Sequence, residues 1–85
     1  MTIKFAKYFK KRIAKHTSAT QRKFLERVKV FQNNKFHPQL HNHSLIGKYK
    51  GSRSINITGD IRAIFKEEGD VVKFEDIGTH SELYG

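Results

Sequence analysis

The chain has no cysteine and only one proline, Pro38, among its 85 residues. Without cysteine, neither a disulfide nor a thiolate metal site can form, so we expect a protein stabilised by packing in a reducing cytoplasm. No run approaches the roughly 20 apolar residues that cross a bilayer. The first residues also lack the apolar stretch of a signal peptide. The sequence therefore predicts a cytoplasmic protein with no membrane partner.

Acidic residues are nearly absent from the first 30 positions, where Glu26 is the only one. Ten basic residues lie in that segment, whereas bases and acids balance over the rest of the chain, so the formal net charge of +9 resides in the N-terminal third. Such asymmetry indicates a surface for a polyanion or an acidic protein, although a solvated helix face is the simpler alternative. The bases that we assign to this surface are Lys10, Lys11, Arg12, Lys15, Arg22 and Lys23.

Apolar spacing in the first half predicts a short strand and a helical hairpin. Residues 2–5 alternate as in a strand, and Phe5, Phe9 and Ile13 then recur every four residues, as on a helix that continues to about Lys15. Ser18 and Gln21 fit a capping box that opens a second helix, which we expect to end near residues 33–34. We assign its buried face to Phe24, Leu25, Val28 and Phe31.

The second half predicts three strands. Residues 52–58 and 61–66 alternate, and the turn residues Thr58, Gly59 and Asp60 separate them. Residues 67–70 supply a hairpin turn before a last strand at 71–77. Because 85 residues bury only roughly 60 to 65% of their unfolded surface, we expect one small domain over 1–85. The predicted α+β fold packs the N-terminal strand and two-helix hairpin on one face of an antiparallel sheet and leaves the other face for function.

Three sequence blocks in the second half carry a specific resemblance. They read His43-Ser-Leu-x-Gly-x-Tyr-Lys-Gly-x-Arg53, Gly59-Asp60-Ile-Arg62-Ala-Ile-Phe65 and Gly78-Thr-His-Ser-Glu-Leu-Tyr84. In these blocks the chain resembles YafQ-like toxins of the RelE/ParE superfamily. The resemblance implies a β-α-α-β-β-β fold and a prokaryotic type II toxin that enters the ribosomal A site and cuts mRNA. It implies no metal and no other cofactor.

Cleavage of RNA by its own 2′-hydroxyl requires a base, an acid and a group that stabilises charge on the phosphate. Histidine suits the proton steps, since its ordinary pKa is near ~6.5. The resemblance implies that His43 and His80 are the catalytic pair, that Asp60 accepts a proton or orients a histidine, and that Arg62 contacts the phosphate. Tyr84 takes the position of a terminal aromatic that stacks on a base. The alternatives are a turn role for Asp60 and core packing for Tyr84.

A basic cluster in the middle of the chain predicts RNA contacts. Lys48, Lys50 and Arg53 surround Tyr49, a pattern suited to a nucleic-acid backbone with an adjacent base, although lysines also protect exposed sheet edges. Strict alternation directs Arg53 toward the helices, so we expect a bulge or the start of the strand to free it. Asn56 stands where YafQ-like toxins usually have another histidine, and we assign it to RNA binding because an amide can bind a phosphate.

The resemblance also suggests partners and alternatives. The basic N-terminal surface would face the ribosome or an acidic antitoxin. Ile61 replaces the family's usual tryptophan, and together with Asn56 it leaves open a catalytically weakened homologue. A ParE-like inhibitor of DNA gyrase is the alternative without chemistry. His37, His41 and His43 have spacings that can hold a metal, but without cysteine we predict no metal site.

Overall fold

The sheet joins the two ends of the chain. In the computed structural model, which describes residues 1–85, β1 spans Thr2–Phe5 and β5 spans Val71–Thr79. These two strands pair in parallel, with Phe5 opposite Phe74. The other strand pairs are antiparallel, so the sheet is mixed rather than antiparallel throughout. Alternation in the sequence identified β1 as a strand but carried no information about its direction.

The remaining elements follow the predicted order, with additions that the sequence did not predict. From one edge to the other, the sheet consists of β1, β5, β4 (Ile61–Glu68), β3 (Arg53–Asn56) and β2 (His43–Ser44). The two-residue strand β2, two short 3₁₀ turns and the C-terminal helix α3 (His80–Tyr84) are the additions. The elements are α1 Lys7–Ile13, α2 Ser18–Asn33, a 3₁₀ turn Pro38–Leu40, β2 His43–Ser44, a 3₁₀ turn Gly47–Tyr49, β3 Arg53–Asn56, β4 Ile61–Glu68 and α3 His80–Tyr84.

Helix α2 begins one residue earlier than the predicted capping box would place it. Thr17 is the N-cap, and its hydroxyl accepts a hydrogen bond from the Thr20 amide at 3.1 Å. Gln21 instead donates from Nε2 to the carbonyls of Ile13 and His16, at 3.2 and 3.0 Å. Its side chain therefore satisfies carbonyls at the end of α1 and fastens the two helices together. Neither helix, nor α3, is long and apolar enough to cross a membrane.

Aromatic rings form the centre of the core between the helices and the sheet. Phe24 lies edge-on to Phe74 with ring centroids 5.2 Å apart, and Phe31 lies edge-on to Phe65 at 5.1 Å. Such edge-to-face pairs contribute about 0.5 to 1.5 kcal/mol beyond their buried area. Leu25, expected in this core, is 58% exposed. It follows Phe24 directly, and a helix turns about 100° per residue, so both cannot face the sheet.

The two faces of the sheet have different surroundings. Ile55 and Ala63 lie in the core beneath the helices, whereas their neighbours Ser54 and Arg62 line a cleft on the opposite face. Tyr84 of α3 lines the same cleft, so α3 covers part of this second face. The sheet face that we expected to be open is therefore partly covered by α3, which forms one wall of the cleft.

Candidate active site

The cleft on the second face has a volume of about 200 Å³. It gathers four of the five residues expected to act in catalysis, and these come from β2, β4 and α3. Two further side chains complete it. The lining residues are His43, Leu45, Ser54, Arg62, His80 and Tyr84.

His43 reaches the cleft because β2 pairs with β3, opposite Ser54. Its Nδ1 lies 2.7 Å from the carbonyl oxygen of His41. A carbonyl can only accept, so Nδ1 donates the proton of this bond, and in the neutral ring Nε2 carries the lone pair. His41, whose carbonyl accepts this bond, has a left-handed backbone conformation with φ at +48°. The arrangement prepares His43 to accept a proton through Nε2.

His80 opens α3, and its ring centroid lies 4.8 Å from that of Tyr84, one turn later. A capping box forms the start of this helix. The Thr79 hydroxyl accepts from the Glu82 amide at 3.1 Å, and the Glu82 carboxylate accepts from the Thr79 amide at 2.7 Å. The hydrogen bond that the Thr79 backbone amide donates is the main reason that the pKa of Glu82 lies below its usual range. The box fixes the turn from β5 into α3 and so the position of His80.

Tyr49 anchors α3 from the opposite side. Its hydroxyl donates to the carbonyl of Leu83 at 3.1 Å, and its ring lies edge-on to Tyr84 with centroids 5.6 Å apart. Burial, followed by the charge of Asp76, raises the pKa of Tyr49 above its usual range. Leu83 is fully buried. Sequence reasoning placed Tyr49 with the lysines expected to bind RNA, whereas in the structure Tyr49 holds the helix that carries His80.

Arg12 crosses from α1 to the open edge of β5, where its Nε lies 3.4 Å from Asp76 Oδ1. The same carboxylate oxygen accepts from the Ile77 amide at 2.8 Å. Gly78 follows, and a Cβ there would lie 2.8 Å from Arg12 Nη2 and 3.1 Å from the Glu82 carboxylate. The glycine of the Gly-Thr-His block therefore provides room for Arg12. Arg12 is therefore a partly buried ion-pair partner beneath the site rather than a freely exposed base of the surface expected from the sequence.

Arg62 is half-buried and held by the preceding turn. Its Nη1 donates to the carbonyls of Thr58 at 3.0 Å, Gly59 at 3.2 Å and Ile61 at 3.3 Å. This anchoring orients the guanidinium at the cleft before any substrate arrives. Asp60 lies in the same turn, where it is exposed and does not line the cleft. Its amide donates to Thr58 Oγ1, and its carboxylate has no partner.

The residues expected to bind RNA are divided by the structure. Lys48 and Lys50 are exposed on the 3₁₀ turn before β3 and at its end. Arg53 faces the helix side, as alternation indicated, where Nε donates to Asn42 Oδ1 at 2.7 Å and the guanidinium lies over the Phe36 ring. Asn56 lines a separate pocket. The cleft therefore contains neither Arg53 nor Asn56.

The bases of the N-terminal surface also separate. Lys23 borders the pocket of Asn56, whereas the others apart from Arg12 are exposed on and after the helices. The exposed ones are Lys10, Lys11, Lys15 and Arg22. His37, His41 and His43 do not form a group that could hold a metal ion.

Ser54 is a cleft residue that sequence reasoning missed. Its side chain is fully buried, and its Oγ has no hydrogen-bond partner. A buried hydroxyl without a partner costs about 1 to 3 kcal/mol. Alternation along β3 was the available signal, because it placed a small polar residue two positions before Asn56 on the functional face.

Residues 1–85 match the sequence pattern of one protein family, described as the bacterial toxin of type II toxin-antitoxin system, YafQ. The chain belongs to the YafQ toxin family. It is thus a toxin of a type II toxin-antitoxin system, which confirms the resemblance seen in the three sequence blocks. No curated sequence matches the chain significantly.

Solved structures support the same fold for this YafQ-family toxin. YafQ from E. coli BL21(DE3) superposes with a TM-score of 0.76 at 23% identity, covering 98% of this chain and 97% of that one. E. coli YafQ in its DinJ complex gives 0.74 at 24% identity, with coverage of 98% and 97%. The RelB-RelE complex of Methanococcus jannaschii gives 0.73 at 20% identity, with coverage of 95% and 94%. The predicted α+β class, with two helices on one face of the sheet, is confirmed.

Proposed function

We propose that this toxin is a ribosome-dependent endoribonuclease that cleaves mRNA in the A site without a metal. The observation that supports the proposal is the convergence of His43, Arg62 and His80 on one cleft, from three separate elements. Two histidines and a fixed guanidinium supply a base, an acid and a phosphate ligand, the set that attack by a 2′-hydroxyl requires.

Each group has a proposed task. His43 accepts the proton of the 2′-hydroxyl at Nε2, and the freed oxygen attacks the adjacent phosphorus. Arg62 donates to the non-bridging oxygens as charge develops on them. His80, as the imidazolium, transfers a proton to the departing 5′-oxygen, so the products are a 2′,3′-cyclic phosphate and a 5′-hydroxyl. Tyr84 stacks on a neighbouring base. Asp60 lies in the turn that anchors Arg62, outside the cleft lining, and its proposed task is to accept a proton or to orient a histidine.

The partners follow from the same proposal. DinJ is bound to E. coli YafQ, and RelB is bound to M. jannaschii RelE, in the solved complexes. We expect a cognate antitoxin for this toxin too, with an acidic segment against the exposed bases Lys10, Lys11, Lys15 and Arg22. In its absence those bases, with Lys48 and Lys50, would contact ribosomal RNA and mRNA in the cytoplasm.

The test is primer extension on an mRNA in a translating extract, with and without the purified toxin. We expect new stops within codons that disappear when ribosomes are omitted. His80→Ala should abolish the stops while leaving the fold intact, because His80 is exposed. Cleavage by the folded variant would remove His80 from the mechanism. Inhibition of gyrase supercoiling without any stops would favour the gyrase alternative instead.

A further inference from the structure

A second concave site of about 410 Å³ lies at the end of β3, beside the cleft. We name it the Arg27 pocket, and it is lined by Lys23, Arg27, Gln39, His41, Asn56, Ile57, Thr58 and Gly59. We propose that it binds an RNA phosphodiester next to the strand cleaved in the cleft. The proposal rests on the proposed function, since it supplies a second contact for the same kind of ligand.

The charge of the pocket favours an anion. Lys23 and Arg27 lie one helical turn apart on α2 and face the same space as His41, and no carboxylate lines the pocket. Glu26 lies outside it, with its carboxylate 3.6 Å from Lys23 Nζ. Both side chains of that ion pair are substantially exposed, and exposed pairs of this kind are weak. Lys23 is therefore available to a phosphate.

Arg27 is positioned in advance. Its Nε donates to the carbonyl of Ile57 at 3.2 Å, which holds the guanidinium against the end of β3. Its two terminal nitrogens form no hydrogen bond or ion pair within the protein. A guanidinium that is fixed at Nε and free at Nη can bind a phosphate through both remaining groups. A base required only for solubility would not need this attachment.

Two residues link the pocket to the cleft. His41 lines the pocket, and its carbonyl accepts a hydrogen bond from Nδ1 of His43. Asn56 lies two positions after Ser54 on β3, a separation of about 7 Å along a strand, and Ser54 lines the cleft. One stretch of RNA can therefore contact both sites. This would also give Asn56 a phosphate-binding role outside the cleft.

The phosphate could belong to the mRNA or to ribosomal RNA. To distinguish these sources, we would measure binding over a series of salt concentrations in two arms, a 2′-O-methyl RNA oligonucleotide that cannot be cleaved and vacant ribosomes. The variants are Lys23→Gln and Arg27→Gln. Lys29→Gln is the control, because it removes the same charge from an exposed position of α2 outside the pocket. Thermal melting would check each fold.

For each pocket variant, we expect the plot of log binding constant against log salt concentration to become shallower. The magnitude of its slope should decrease by about 0.7, the value for one phosphate contact to single-stranded nucleic acid. Lys29→Gln should leave the slope unchanged. A loss in the oligonucleotide arm identifies an mRNA phosphate, and a loss only in the ribosome arm identifies a ribosomal one. If Arg27→Gln does not fold, Lys23→Gln decides, because it removes no hydrogen bond from the structure.

Pocket variants that match Lys29→Gln in both arms would overturn the proposal. The proposed function fails separately, because binding is measured here without cleavage. If the parental protein does not cleave mRNA but the pocket variants still reduce the salt dependence, the pocket proposal stands and the nuclease proposal fails. If the parental protein cleaves mRNA but the pocket variants leave the salt dependence unchanged, only the pocket proposal fails.

Discussion

At the scale of single residues, the contact between His43 and the His41 carbonyl decides which ring nitrogen can act as a base. The proton of the neutral ring lies on Nδ1, so the lone pair on Nε2 is available to the substrate. The exposed His80 ring lies against Tyr84, but no hydrogen bond fixes either of its nitrogens. The two histidines thus differ in their surroundings in a way that matches separate roles as base and acid.

We expect His43→Ala to slow single-turnover cleavage by about 10²- to 10⁴-fold, the contribution of one positioned acid-base group. Asp60→Ala should slow it by about 10²-fold if its carboxylate also handles a proton. The measurement uses toxin-saturated ribosomes and a rapid quench. Normal cleavage rates with weakened ribosome binding would reassign both residues from chemistry to docking.

We expect Ser54→Ala to stabilise the fold by about 1 kcal/mol or more, because it removes a buried hydroxyl that has no partner. Urea denaturation would measure the change, with the exposed Ser44→Ala as a control that should have little effect. A loss of stability in Ser54→Ala would mean that Oγ does have a partner in solution. A slower cleavage rate in the stabilised variant would indicate that the hydroxyl contacts RNA.

The sequence predicted the residues of the cleft better than it predicted the contacts of basic side chains elsewhere. His43, Arg62 and His80 lie in distinctive motifs, and all three line the cleft. The partners of Arg12 and Arg53 are distant in sequence or lie in an irregular loop, so no local pattern revealed them. Their charges were visible, but their contacts depended on tertiary packing.

At the scale of elements, α3 is the part whose formation requires the rest of the fold. Five residues are too few for a stable isolated helix. The capping box favours its start, but the contacts of Leu83 and Tyr49 hold it on the sheet. Local sequence therefore gave a terminal segment with a histidine, and only packing makes it a helix. The order of the long elements along the chain was predictable from apolar spacing, but the spatial order of the strands and the parallel pairing of β1 were not.

We expect Tyr49→Phe to reduce the cleavage rate at saturation by up to about tenfold while leaving ribosome affinity unchanged. The change removes one hydrogen bond to α3, worth about 0.5 to 1.5 kcal/mol, and keeps the ring against Tyr84. Tyr8→Phe is the control, because its hydroxyl accepts only from Arg12 and lies on the exposed side of α1. NMR spectra of the His80 ring should shift in Tyr49→Phe alone. An unchanged rate and spectrum would contradict a positioning role for Tyr49.

At the scale of the whole molecule, charge and chemistry occupy different faces. The helices carry most of the excess positive charge and pack on the first face of the sheet, whereas the cleft lies on the second. Only the Arg27 pocket lies where residues of α2 and the end of β3 meet. We therefore expect that the proposed binding to a polyanion and the proposed reaction at a phosphate can be altered separately.

We expect replacement of Lys10, Lys11, Lys15 and Arg22 by Gln to weaken ribosome association and flatten its salt dependence, because fewer counterions are released. Cleavage on saturated ribosomes should proceed near the parental rate. Arg12 is left intact because it binds Asp76 beneath the site. Sedimentation across a salt series measures the association. Normal ribosome binding combined with escape from the antitoxin would make these bases an antitoxin surface.

The parallel pairing of β1 with β5 has a consequence during synthesis. The chain is made from its N-terminus, so α1 and α2 leave the ribosome before their sheet partners in β4 and β5 exist. Until residues far along the chain are available to pack against them, the core side chains of this segment remain exposed to solvent; they are Phe9, Phe24 and Phe31. We expect mutual repulsion among the bases of the same segment to keep two such unfinished chains apart. The N-terminal charge would thus oppose aggregation as well as serve the proposed binding.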